Sequence, residues 1–299
     1  PLPRAIHFDG ETMRVFETAG LRPQVETISR PGLKGMYFNN AAGETLLIRA
    51  GTQERGPHGC ATNHYFHQPE LEAVLRSGLQ RYPQVQVRTR HEVTAIQDSA
   101  DAATLQVTDL QTQESHAVQA RYVVGCDGAR SLVRKVLGTR MRDLGLHQPW
   151  LVFDVRLKTD VPGLPDHTVQ ICDPARPMTY CNVTGNRRRW EIMLLPGDDP
   201  AEIARPENVW PLVAKWVTPE DAELPMPDEA PVMNTFKTAY FLPGFSLRAL
   251  AINLSAFASC SLKSLPPTRN LPDYPDTTVR LGSAKVLTSP TRSNAWIMA

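Results

Sequence analysis

The sequence predicts an α/β chain in which a helix-and-strand part gives way to a β-rich part, and three observations carry that prediction. The stretch Tyr122 to Gly138, "YVVGCDGARSLVRKVLG", runs from a short apolar strand through a turn of small residues into a basic helix. Upstream, "HQPELEAVLRSGLQRYP" places Leu71, Val74, Leu75 and Leu79 on one face of an amphipathic helix. After Leu146, "PWLVFDVRLK", "HTVQICD", "MTYCNVTG" and "RRRWEIMLLPG" alternate apolar and polar residues, as antiparallel strands with one wet face do.

The elements follow in order. Asp9 is a good N-cap for a helix that turns Met13, Phe16 and Ala19 inward, and Gly20 ends it. Residues Lys34 to Arg49 read as a strand pair turning at "NNAAGE". Pro69 stands in the first turn of the next helix, where its missing N–H costs nothing. Short strands are predicted at "VQVRTR", "EVTAIQD", "ATLQVTDL" and "SHAVQA", leading to a central strand at Tyr122, Val123 and Val124. Leu132, Val133, Val136 and Leu137 give the helix that follows its three-and-four spacing. Between strand and helix, Asp127-Gly128-Ala129-Arg130-Ser131 forms a turn whose Gly can take a left-handed conformation. Such a turn presents amides to an anion at the end of a parallel strand, the place where open α/β sheets bind ligands. The alternative use of Asp127 is a plain helix cap. Past the β-rich strands, "PGDDPAEIARPENVWPLVAKWVTPED" gives an acidic turn and a short helix. From about Thr238 the pattern weakens into Pro-, Ser- and Thr-rich chain, with one apolar segment, "SLRALAINLSAFA", able to form a helix.

Bulk properties exclude several classes. A net charge of +1 gives no basic field for nucleic acid. No apolar run approaches the roughly 18 residues of a membrane span. Cys60, Cys126, Cys172, Cys181 and Cys260 are odd in number and lack C-x-x-C spacing, which fits free thiols in the cytoplasm. Asn182 and Asn253 sit in chance sequons. His7, His58, His64 and His67 share no ligand spacing, so no metal site is expected, and no acid–base pair stands out as catalytic. The chain opens on Pro-Leu-Pro and reads as an interior piece of something longer.

Four stretches together carry a resemblance: "PRAIHFDGETMRVFETAGL", "FHQPELEAVLRSGL", "VVGCDGARSLVRKVLG" and "CDPARPMTYCNVTGNRRRWEIMLLPGD". With them the chain resembles, over roughly residues 1–238, the FAD-dependent aromatic hydroxylases of the para-hydroxybenzoate hydroxylase type. The branch in question hydroxylates 3-(3-hydroxyphenyl)propionate and related phenols. The third stretch matches the family's Asp-Gly motif at Cys126, Asp127, Gly128, Ser131, Val133 and Arg134.

The resemblance implies a partial FAD-binding Rossmann-like domain at 1–142, lacking its first βαβ unit. A β-rich substrate domain follows at 143–238, then a divergent, poorly ordered segment at 239–299. It implies FAD contacts from Arg4, Gln68, Asp127, Gly128 and Arg130; the alternatives are an exposed, inert Arg4, a Gln68 that only caps its helix and a solvated Arg130, with Arg134 a surface or ion-pair residue. Tyr180 and Trp190, on the same sheet, are candidates to line an aromatic substrate pocket, with core packing as the commoner use of such residues. Arg187 to Arg189 read as a solvated turn, with a carboxylate-attracting role as the alternative. The implied reaction is hydroxylation of a small phenol with O2 and NADH or NADPH, with no nucleic-acid or membrane partner.

Two of the family's FAD motifs are missing. No G-x-G-x-x-G turn occurs. The Gly-Asp motif expected after "PVMNTFKTAYF" is replaced by "LPGFSLRALAINLSAFASC", which points to a deletion or a shifted frame. Two readings therefore stand: an FAD-dependent monooxygenase, as a fragment or variant, or a non-catalytic remnant that cannot hold FAD.

Overall fold

A computed structural model describes residues 4–49, 54–143, 147–224 and the backbone of 296–298. Thr238, the "SLRALAINLSAFA" segment, Asn253 and Cys260 lie outside the described residues. The chain forms two compact units, and the described residues up to 83 share one of them with 147–224. The other holds residues 84–143 and the strand at 296–298. The change of unit after the described residue 143 lies beside the predicted boundary at 142, residues 84–143 form a unit apart from those up to 83, and the boundary at 238 lies outside the described residues.

In the first unit, β1 (His7–Asp9) leads into α1 (Gly10–Thr18), which starts because Asp9 Oδ1 accepts from Thr12 N at 2.8 Å. Met13 and Phe16 of α1 are buried as expected, but Ala19 is exposed. α2 (Arg22–Ile28) and β2 (Ser29–Pro31) follow, then the predicted hairpin of β3 (Met36–Asn39) and β4 (Thr45–Arg49). β5 (Asn63–Phe66) precedes α3 (Gln68–Leu79). Leu71 and Val74 of α3 turn inward, whereas Leu75 is exposed because the apolar stripe is wider than the surface it packs on.

In the second unit, β6 (His91–Asp98), β7 (Ala103–Asp109) and β8 (Ser115–Ala120) form an antiparallel meander. The predicted strand at "VQVRTR" is absent. Val85 and Val87 are exposed there, because alternation without a neighbouring strand has no ladder to join. β9 (Tyr122–Val124) leads through a 3-10 turn at Gly128–Arg130 into α4 (Leu132–Val136).

Back in the first unit come β10 (Trp150–Leu157), β11 (Thr168–Ile171), β12 (Met178–Asn182) and β13 (Arg187–Met193). α5 (Pro200–Ile203), α6 (Pro206–Val213) and β14 (Ala222–Glu223) complete that unit. β15 (Trp296–Met298), in the second unit, pairs in parallel with β9. The expected central strand is therefore paired, among the described residues, only with β15, and its Tyr122 is exposed.

The first unit is organised by a seven-stranded sheet in the order β14-β10-β13-β12-β11-β3-β4. β3 joins β11 in parallel, so the early hairpin completes the late sheet. Successive residues of a strand point to opposite faces. One face packs Phe153, Tyr180, Trp190 and Ile192 against Val209 and Val213 of α6. The other puts Cys181 against Ile6 and Val183. The predicted wet face is thus covered, and Met178 to Cys181 are all buried.

Candidate functional site

The sequence-predicted residues fall into three places, each built by different local physics.

Arg4 and Gln68 meet in the first unit. Pro69 fixes the start of α3, and the Gln68 side chain there reaches back to the incoming chain. Gln68 Oε1 accepts from Arg4 N at 2.6 Å and Ala5 N at 3.0 Å, while Nε2 donates to Glu72 Oε1 at 2.9 Å. Gln68 therefore clamps the main chain of Arg4, leaving the Arg4 side chain exposed. The Arg4 carbonyl is held from the other side by Arg189, whose Nη1 donates to it at 2.7 Å.

Arg189 is only 1% exposed and grips Asp154 with Nε to Oδ1 at 2.7 Å and Nη2 to Oδ2 at 3.0 Å. Two parallel N–H···O bonds are the strong geometry for a guanidinium and a carboxylate. Arg187 pairs with Glu70 Oε1 at 2.9 Å. The solvated-turn reading of the arginine run is thereby corrected. Residues 187 to 189 lie in β13, and alternation buries the third of them. Sequence reasoning missed Asp154 and, with it, the internal carboxylate partner of Arg189. The signal was a lone Asp within the apolar run "WLVFDVRL", since a buried carboxylate demands a partner.

Asp127, Gly128 and Arg130 lie together in the second unit. Asp127 Oδ2 accepts from Leu132 N at 2.6 Å and Val133 N at 3.2 Å, and Ser131 Oγ accepts from Arg134 N at 2.9 Å. The amides expected to face an anion are thus taken by the chain's own side chains. Burial pushes the Asp127 pKa up, but the hydrogen bonds its carboxylate receives outweigh it and hold the carboxyl below its usual range. Its other oxygen, Oδ1, is buried and has no hydrogen-bond partner among the described residues. Arg134 folds back onto the loop, donating to the carbonyls of Gly128 and Ala129.

Gly128 has φ +73°, with open space where a side chain would stand. Gly125 has the opposite reason to lack one: a Cβ there would lie 2.6 Å from Val133 Cβ, so only Gly lets α4 sit against the strand end. The Arg130 side chain is exposed. The helix is shorter than its apolar spacing suggested, and Leu137 is 71% exposed.

Tyr180 and Trp190 do not share a face with Arg4 and Gln68. Trp190 is fully buried between Phe153, Tyr180 and Trp216, so it is core rather than pocket wall. Tyr180 donates from its hydroxyl to Pro165 O at 2.9 Å, and burial pushes its pKa up to about 12. The residues beside them in sequence, Cys181 and Arg189, face the Arg4 side. There Glu191 is held above the usual carboxylate range, by burial first and by Asp154 second, against the pull of Arg189.

Among the described residues no helix is long and apolar enough to cross a membrane. Residues 1–240 match the family described as FAD binding domain. The chain is 37% identical over 227 residues to a probable NADH-specific resorcinol 4-hydroxylase of Rhodococcus jostii (strain RHA1), covering 75% of this chain and 42% of that protein. It is 35% identical over 223 residues to the 3-(3-hydroxy-phenyl)propionate/3-hydroxycinnamic acid hydroxylase of Burkholderia cenocepacia (strain HI2424), covering 73% and 39%. The chain thus spans about two fifths of the length of these relatives.

Among solved structures it resembles p-nitrophenol 4-monooxygenase PnpA from Pseudomonas putida DLL-E4. That match has a TM-score of 0.63 at 19% identity, covering 76% of this chain and 57% of that one. The flavin-dependent monooxygenase PieE in complex with FAD and substrate matches with a TM-score of 0.63 at 20% identity, covering 75% and 42%. At these identities the likeness is one of fold.

Proposed function

Because the chain belongs to the family described as FAD binding domain, we propose that it works in the FAD-dependent hydroxylation of a small phenolic compound, with NADH or NADPH as reductant. The resorcinol and hydroxyphenylpropionate hydroxylases it resembles support the substrate class, and the relative named as NADH-specific favours NADH.

The observation that carries the reading is the Asp127–Gly128 loop. A buried carboxylate oxygen without a donor among the described residues stands beside an open, left-handed Gly. A buried acceptor left unpaired is costly, so the loop fits a ligand that brings a hydroxyl to Asp127. Gly128 allows its backbone to come close, and the exposed Arg130 offers a cation to a phosphate. The amides of α4 are already used, so phosphate contact falls to Arg130 and the loop rather than to the helix end.

In the other unit, taken by itself, Gln68 fixes the main chain at Arg4 and leaves the Arg4 guanidinium exposed to an anionic group. Bound FAD would supply the activation of O2 with electrons from the nicotinamide. The chain's own contribution is to hold and orient. The substrate is assigned to the Arg4 side of the sheet, where Asp154, Arg189 and Glu191 lie, rather than to the Tyr180 side.

The test uses Cys126, an exposed thiol next to Asp127. FAD is titrated into the purified chain while flavin fluorescence and alkylation of Cys126 are followed by peptide mapping. Saturable quenching with slowed alkylation, both lost in Asp127→Leu, is expected. A colourless chain whose Cys126 labelling ignores FAD overturns the proposal.

A further inference from the structure

We propose that the cavity on the Tyr180 side of the sheet is a binding site for a hydroxylated aromatic carboxylate, separate from the face that holds Arg4 and Gln68. The cavity measures about 540 Å³, within the usual size of small-molecule sites. Its walls include Tyr37, Asn39, His167, Tyr180, Lys215 and Trp216. Tyr37 and His167 are packed ring to ring, with centroids 4.1 Å apart. Such a rim suits a planar ring.

Two polar features define what else the ligand must carry. Asn39 Oδ1 is buried and has no hydrogen-bond partner among the described residues, so it calls for a donor such as a phenolic hydroxyl. The Lys215 ammonium sits 4.1 Å from the Trp216 ring centroid, and among the described residues it pairs with no carboxylate. A cation held on an aromatic face at a cavity wall is placed to receive an anion. The nearby Asp166 does not compete for that role, because Lys34 Nζ pairs with it at 2.8 Å and His167 Nδ1 lies 3.1 Å away. Ring, hydroxyl and carboxylate together describe one ligand class.

The site is distinct from the proposed reaction face for a geometric reason. β3 and β11 pair Tyr37 with Val169 and Asn39 with Ile171, and those residues point to the side that packs Tyr180 and Trp190. Arg4 approaches the sheet through Arg189, which points the other way.

The experiment is isothermal titration of the whole chain with 3-(3-hydroxyphenyl)propionate, 3-phenylpropionate and resorcinol, in parallel with the FAD titration. Ala42 is an exposed rim residue, so Ala42→Trp blocks the cavity without touching the core. It is expected to remove one binding site while leaving FAD-dependent protection of Cys126 unchanged. Lys215→Met is expected to weaken both acids roughly tenfold and to spare resorcinol, the loss of one charge-assisted contact. Asn39→Leu is expected to weaken only the two hydroxylated compounds. Absence of heat with the hydroxylated acid, or equal stoichiometry in the wild type and Ala42→Trp, overturns the proposal. Either result leaves the flavin reading to be judged on Cys126 alone.

Discussion

Asp154→Ala is the perturbation whose cost follows most directly from the geometry. The carboxylate takes two hydrogen bonds from Arg189, at 2.7 and 3.0 Å. Without it a guanidinium that is 1% exposed loses both of these charge-assisted bonds, while its bond to the Arg4 carbonyl and the field of Glu191 remain. Removing one partner of a buried pair costs about 3–5 kcal/mol. The Asp154 side chain is 22% exposed, so the pair is partly hydrated and the lower end, about 3 kcal/mol, applies. At roughly 2–4 °C per kcal/mol for a unit of this size, the melting temperature falls by about 6–12 °C.

Arg189→Met should cost less, because the carboxylate it strands can reach water. The double variant Asp154→Ala/Arg189→Met should recover part of the loss, since neither member of the pair is then left without the other. Urea denaturation of the four proteins measures the cycle. A cost below about 1 kcal/mol for Asp154→Ala, or a double variant as unstable as the two singles summed, would refute the coupling described here.

Gly128→Val should lower stability by about 1–2 kcal/mol through backbone strain alone, since φ is +73° and nothing stands within 4 Å of a Cβ there. Hydrogen exchange over the loop and α4 reads it, and an unchanged exchange rate contradicts the assigned conformation. Acid sensitivity has a definite sign. Burial lowers the pKa values of His7, His64 and His67, so the folded state prefers their neutral forms. Their contribution is present above the ordinary value of about 6.5 and is lost as pH falls through the lowered folded values. His64, stacked on Phe8 with centroids 5.1 Å apart, is the one to replace. His64→Leu should flatten the stability slope by up to about 1.4 kcal/mol per pH unit in that window, and an unaltered slope would show that His64 is not taking up the proton.

The local elements were legible because their causes are local. Asp9 caps the helix beside it, Pro69 opens another, and the Asp127–Gly128 turn needs only its own five residues to take its shape. Alternation along β12 and β13 likewise announced strands, and the resemblance pointed to the FAD-binding family. The sequence could not say which face of those strands is covered. Tyr180 and Cys181 are neighbours with equal claims to a pocket until α6 arrives on one side and Ile6 on the other. For the same reason the arginine run read as solvent-facing, although register against Asp154 buries Arg189. Local conformation depends on a few adjacent dihedrals and side chains and was therefore written in the chain. Burial, the pairing of charges and the choice of face depend on strands far apart in sequence, and only the tertiary structure decided them.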